Sequence, residues 1–202
     1  MPVILYVETN FLISVAMGRE ARGNDLLSAI TTDVRVFIPS GCYMEAFSAF
    51  EDEQKRRNWF KNELEKQITQ LRRDITSANA ASLLANLEQS RIANDELLND
   101  VVMRLITFIG KAAPLIDQVQ PTPEIIHNTL TNMLIDDLTD NLILHSILAH
   151  AHAHPENIKA LLTGNTKDFS TTDVDTALQA AAISKQFTNI TAALGWIGSV
   201  RP

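Results

Sequence analysis

Val3-Ile4-Leu5-Tyr6-Val7 is followed at once by Glu8-Thr9-Asn10 and then by Phe11-Leu12-Ile13. The first five residues are apolar and rich in β-branched types, the composition of a strand buried on both faces of a parallel sheet. A carboxylate at the carboxyl end of the first strand of an α/β sheet stands where such folds receive ligands. One acid there proves little without partners elsewhere in the chain.

Three further blocks repeat the arrangement. Val34-Arg35-Val36-Phe37-Ile38 reads as a second buried strand closed by Pro39-Ser40-Gly41, with Glu45 just beyond it in the first turns of a helix. Asp136-Asp137-Leu138-Thr139-Asp140-Asn141 opens an apolar helix that continues through Leu144, Ile147 and Leu148. Ile158-Lys159-Ala160-Leu161-Leu162 reads as another strand and ends in Thr163-Gly164-Asn165-Thr166-Lys167-Asp168-Phe169. Each block places an acid or an amide at a strand end or a helix start.

A strand ending in acid-Thr-Asn, a mid-chain Glu, an Asp-x-Leu-Ile helix and a Thr-x-Asn-x-x-Asp-Phe turn together resemble the PIN domain (PilT N-terminal domain) family. The resemblance covers roughly residues 3–47 and 134–175. It implies a Rossmann-like three-layer α/β/α sandwich with a parallel central sheet. It also implies an acid cluster that binds Mg²⁺ or Mn²⁺ to cut RNA, and many members are toxins of toxin–antitoxin pairs. Position by position, Glu8 matches the family's first acid, Glu45 the second and Asp140 the third. Asn165 falls where many members carry a fourth acid, with Asp168 nearby, and Thr9, Asn10 and Thr163 match the flanking polar residues. The implied metal ligands are thus Glu8, Glu45 and Asp140, with Asn165 or Asp168 completing the site.

This chain departs from the family pattern twice. Glu8 stands where Asp is usual and is longer by one methylene, about 1.5 Å of reach, in a type of site whose two ions sit roughly 3.5–4 Å apart. Asn165 is a neutral ligand and a weaker one for a hard cation. A PIN-like interaction module with an impaired site is therefore the alternative to a nuclease. A nucleotide-binding α/β domain has less support, because no Gly-rich phosphate loop follows the first strand.

The 202 residues suit one domain with an insertion, and 46% apolar residues supply a sizeable core. No apolar run approaches a membrane span. The first strand begins without a signal-like stretch, and Cys42 is the one cysteine, so a reducing cytoplasm is expected. The net charge of −7 opposes RNA binding on average. Seven of the 17 basic residues (Lys55, Arg56, Arg57, Lys61, Lys66, Arg72, Arg73) nevertheless lie in one stretch, interleaved with six acids over residues 51–74. Pairs such as Glu51/Lys55 and Glu53/Arg57 favour a solvated, self-paired helix face over an RNA-binding one.

No glycine lies between Gly41 and Gly110 and no proline between Pro39 and Pro114, which predicts helix across an insertion at about 42–110. The Leu64, Ile68, Leu71, Ile75 stripe should be buried, and Ser77-Ala78-Asn79 and Ser90-Arg91 are plausible breaks. Trp59-Phe60 is read as packing between these helices, and its exposure would instead mark a contact surface, such as that of a homodimer. Pro114-Leu115-Ile116 reads as a short strand, residues 124–135 as a helix led by proline, and Asp136 or Asp137 as the cap of the Asp140 helix. His150 and His154 have a spacing that could hold zinc, but the Ala-His-Ala-His-Pro run reads better as a fraying helix end. A last strand is expected at Phe187-Thr188-Asn189-Ile190, before a tail helix at Leu194 to Ile197.

Overall fold

The computed structural model describes residues 2–200. Its sheet is built from β1 (Val3–Val7), β2 (Val34–Pro39), β3 (Asp117–Val119), β4 (Ile158–Leu162) and β5 (Ile183–Phe187). All neighbours are parallel and the order is β3-β2-β1-β4-β5. The chain thus winds outward from β1 in one direction and then crosses over to β4. Every residue of the central β1 is buried, which requires helices on both faces of the sheet, and the result is the expected α/β/α sandwich.

The helices are α1 (Thr9–Ala16), α2 (Gly23–Ala29), α3 (Gly41–Leu71), α4 (Ala78–Ala112), α5 (Pro123–Thr131), α6 (Leu138–His152), α7 (Thr166–Phe169), α8 (Thr172–Ala180) and α9 (Ile190–Val200). α1 and α2 pack on α4, and α2 also on α9, while α5 packs on α6 and α6 rests on β2 and β3. Among the described residues no helix is long and apolar enough to cross a membrane.

The span without glycine or proline folds as the α3–α4 hairpin. Its 31 and 35 residues reach about 46 and 52 Å at 1.5 Å per residue, well past the five-residue strands. Leu64 and Ile68 are buried in it, but Ile75 is 91% exposed. The helix stops at Leu71 because Asp74 takes the chain into a turn, its Oδ1 accepting from the Thr76 and Ser77 N–H groups. Ser90-Arg91 is no break: α4 runs on through it, with the Ser90 hydroxyl donating back to the Asn86 carbonyl. Trp59 and Phe60 do not pack between the helices. They are 68% and 40% exposed.

Two strand assignments move. Pro114-Leu115-Ile116 is a turn in which the Ala112 carbonyl accepts from both the Leu115 and Ile116 N–H groups, and pairing with β2 begins only at Asp117. The last strand lies earlier than expected, at Ile183–Phe187, because Asn189 Oδ1 accepts from the Ala192 N–H and turns the following residues into α9. The predicted 124–135 helix ends at Thr131. Its successor is capped by Asp137, not Asp136, through the Thr139 and Asp140 N–H groups.

The histidine-rich end of α6 is anchored, against the fraying expected of it. The His150 ring lies 4.1 Å from that of Phe37, and its Nδ1 is hydrogen-bonded to the Tyr6 hydroxyl at 2.8 Å. Lys159, 1% exposed on β4, donates from Nζ to the Ala151 and His154 carbonyls at 2.8 and 2.7 Å. A cation satisfying the last carbonyls of a helix is favoured by the helix dipole.

Candidate active site

The strand order reverses between β1 and β4, so the turns leaving these two strands flank the crevice that doubly wound sheets use for ligands. Glu8 leaves β1 there and Thr163-Gly164-Asn165 leaves β4. Glu8 is the N-cap of α1, with Oε2 accepting from the Asn10 N–H at 2.7 Å. Its Oε1 accepts from the Gly164 N–H at 2.8 Å. One carboxylate therefore ties the two turns together. The approach depends on glycine, since a Cβ on Gly164 would stand 3.2 Å from the Asn10 Cβ.

Glu8 is 1% exposed, and this burial raises its carboxyl to about 7. The two backbone hydrogen bonds oppose the rise, while the charges of Asp140 and Glu45 add to it. Buried Thr9 donates its hydroxyl to Glu45 Oε2, which puts Glu45 on the same side of the sheet as Glu8. On the other flank Asn165 caps the short α7. Its amide nitrogen donates to Asp140 Oδ2 at 3.0 Å and to Asp168 Oδ2 at 2.9 Å. Burial, then the charges of Glu45, Asp137 and Asp168, raise Asp140 to about 6, and the Asn165 hydrogen bond pulls it down. Thr163, also buried, accepts from the Asn165 N–H through its hydroxyl at 3.1 Å.

Three contributors went unread in the sequence. Cys42 lies one turn before Glu45, buried, and burial pushes its thiol up, helped by the charges of Glu8, Glu45 and Asp140. The i,i+3 spacing to Glu45 was the available signal. Asn141, fully buried beside Asp140, accepts from the Leu134 and Ile135 N–H groups and donates to the Thr129 and Asn132 carbonyls. It fixes the chain entering α6 and thereby the place of Asp140. An amide at the head of an apolar run was its signal. For Gly164 no local pattern existed, because its need comes from Asn10.

The donor set is oxygen throughout, the chemistry that hard divalent cations select. Among the described residues, none of Glu8, Glu45, Asp140 and Asp168 has a Lys or Arg ion pair. Also among the described residues, no three acids, histidines or cysteines stand in an arrangement ready to hold an ion. The hydrogen bonds account for this: Glu8 faces two backbone N–H groups, Glu45 the Thr9 hydroxyl, and Asp140 and Asp168 the Asn165 amide. Oxygen donors without a Lys or Arg partner suit a hard divalent cation by their chemistry, while neutral protein donors engage the same oxygens.

A doubly wound parallel sheet with acids at its switch point defines a class of α/β proteins that handle ligands at the strand ends. Within that class the chain belongs to the PIN domain family, whose model matches residues 5–169. The match takes in all five acid or amide positions and stops before α8. A search of curated proteins and of solved structures brings no match. PIN domains are generally nucleases and typically use divalent metal ions.

Proposed function

We propose that this protein is a metal-dependent endoribonuclease that hydrolyses phosphodiester bonds in RNA. The observation that carries the reading is a group of acids at the switch point in which Glu8 and Asp140 hold protons more tightly, through burial first and then through neighbouring charges, with no Lys or Arg ion pair among the described residues. Like charges in one crevice are tolerable mainly where a cation neutralises them. Glu8, Glu45 and Asp140 would hold Mg²⁺ or Mn²⁺, with Asn165 and Asp168 beside Asp140. Such an ion supplies a water of lowered pKa and stabilises the leaving oxygen. The chain's own part is positioning: Thr9 fixes Glu45, Asn165 fixes Asp140 against Asp168, and Glu8 keeps the two turns at one spacing. Cleavage of mixed RNA in Mg²⁺ or Mn²⁺, lost in EDTA and in Asp140→Asn, is the expected result. A parent chain inactive with both metals overturns the reading.

A second reading, a PIN-like interaction module with an impaired site, is favoured by one feature. An apolar groove of about 410 Å³ lies on the hairpin, lined by Phe47, Phe50, Val102, Leu105, Ile106 and Ile109. A homodimer or an antitoxin-type partner would cover it.

A further inference from the structure

A second groove, of about 490 Å³, opens where the end of α1 meets the flank of the hairpin. Arg19, Arg56, Arg57, Trp59 and Phe60 line it together with Glu53. Three guanidinium groups thus face one carboxylate, in a chain whose net charge is −7. Glu53 is buried and accepts from Arg57 Nε at 2.7 Å and from Arg56. Arg19 is exposed and has no ion pair among the described residues. Of the nearby acids, Asp52 and Glu63 are each paired with a lysine of their own, Lys55 and Lys66.

Trp59 contributes little to the fold at 68% exposure. An open indole beside free and half-neutralised arginines is the composition of a base-stacking platform with phosphate contacts. Its placement relates it to the acids. Arg56 and Trp59 follow Glu45 on α3 by about 3.1 and 3.9 turns, so the three fall on one side of the helix. Trp59 lies about 21 Å along from Glu45. α1 connects the same two places, starting beside Glu8 and ending at the groove.

We propose that this groove binds single-stranded RNA, with Trp59 stacking on a base and Arg19 and Arg56 meeting phosphates, so that a bound strand leads along α3 towards the acid site. The inference rests on the ribonuclease reading for its choice of polyanion, but binding is measurable without cleavage. The test uses the full chain with Asp140→Asn and Trp196→Phe, in EDTA, titrated with a short mixed-sequence single-stranded oligoribonucleotide. With Trp196 replaced, Trp59 is the one remaining tryptophan and reports stacking by quenching. Expected are quenching on binding and, read from the anisotropy of a dye on the oligoribonucleotide, a loss of affinity of about tenfold in Trp59→Ala. In Arg19→Gln/Arg56→Gln the slope of log affinity against log salt should fall by about 1.4, at about 0.7 per lost contact on a single strand.

Unchanged affinity in both variants, or Trp59 fluorescence indifferent to RNA, overturns the proposal. So does a dimer in sedimentation that Trp59→Ala dissolves and RNA leaves intact, which would make the patch a protein interface. A chain that cuts no RNA with either metal, yet shows these losses of binding, refutes the nuclease reading and keeps the groove. Cutting and binding that both ignore Trp59 do the reverse.

Discussion

Asp140→Asn removes a charge from the acid site while keeping the side chain's shape. In the metal-free protein the Asp140 carboxyl rises from 3.8 to about 6, through burial first and then the charges of Glu45, Asp137 and Asp168. That rise corresponds to about 3 kcal/mol at 1.36 kcal/mol per pH unit. Asp140 is half-exposed, and solvent screening reduces the figure to about 1 kcal/mol. The sign follows from the direction. A carboxyl raised in the folded state gives its full stability contribution while protonated in both states, and loses it as pH rises through about 6. The Asn variant has nothing to lose, so above about pH 7 it should be more stable than the parent by about 1 kcal/mol in EDTA. That is about 2–4 °C in Tm for a chain of this size. The difference should vanish near pH 4, about the unfolded value. Saturating Mg²⁺ should invert the order, because an ion at a hundredfold over its Kd stabilises the parent by about 2.7 kcal/mol and the variant by less. Urea unfolding followed by circular dichroism, across pH and with or without metal, reads every term. A variant less stable than the parent at neutral pH in EDTA, or equal stabilisation of both by metal, would refute the electrostatic argument.

Glu8→Asp draws the carboxylate back by about 1.5 Å. It should leave the Gly164 N–H without its acceptor, destabilising by about 1–3 kcal/mol with faster exchange of that amide; unchanged exchange would mean that the bond is not made. Asn165→Asp sets a third carboxylate between Asp140 and Asp168 and deletes the donor that joins them. Calorimetry should find tighter Mg²⁺ binding, and EDTA a chain about 1–3 kcal/mol less stable. Lys159→Met strips the last carbonyls of α6 of their donor, and hydrogen exchange should show that end of the helix opening first. If it stays as protected as in the parent, the anchoring rests on His150 and Phe37 instead.

The buried strands were legible because each is a continuous apolar run: Val3–Val7 and Ile158–Leu162 have the bounds that the sequence reading gave them. The edge strands were not. Asp117-Gln118-Val119 and Ile183-Ser184-Lys185-Gln186-Phe187 carry polar residues that an edge exposes to solvent, and nothing in such a run marks pairing. The hairpin was legible from the breakers it lacks, but its turn was set by Asp74 and its stripe was cut short before Ile75. At the site the acids could be read one by one, each from its place after a strand or at a helix start. Their clamps could not. Glu8 to Gly164, Thr9 to Glu45 and Asn165 to Asp140 join residues 156, 36 and 25 positions apart, and periodicity carries no information over such separations.

These clamps bear on how the acids of the proposed metal site sit together without an ion. Each hydrogen bond to a charged carboxylate is worth about 1.5–3 kcal/mol, enough to hold the acids in place against repulsion but less than the attraction of a divalent cation for several of them. On the proposed reading, neutral donors and a metal ion would therefore compete for the same oxygens. Asn165 tilts that competition. An acid in its place would add one more like charge and supply no N–H, whereas its amide donates to Asp140 and Asp168 together. The metal-free fold gains what a cation would otherwise have to provide, and the cation correspondingly gains less on binding. A chain built this way should bind Mg²⁺ or Mn²⁺ weakly enough for metal concentration to govern its activity. Weak, saturable activation by metal in the parent, becoming tight in Asn165→Asp, is the signature that follows.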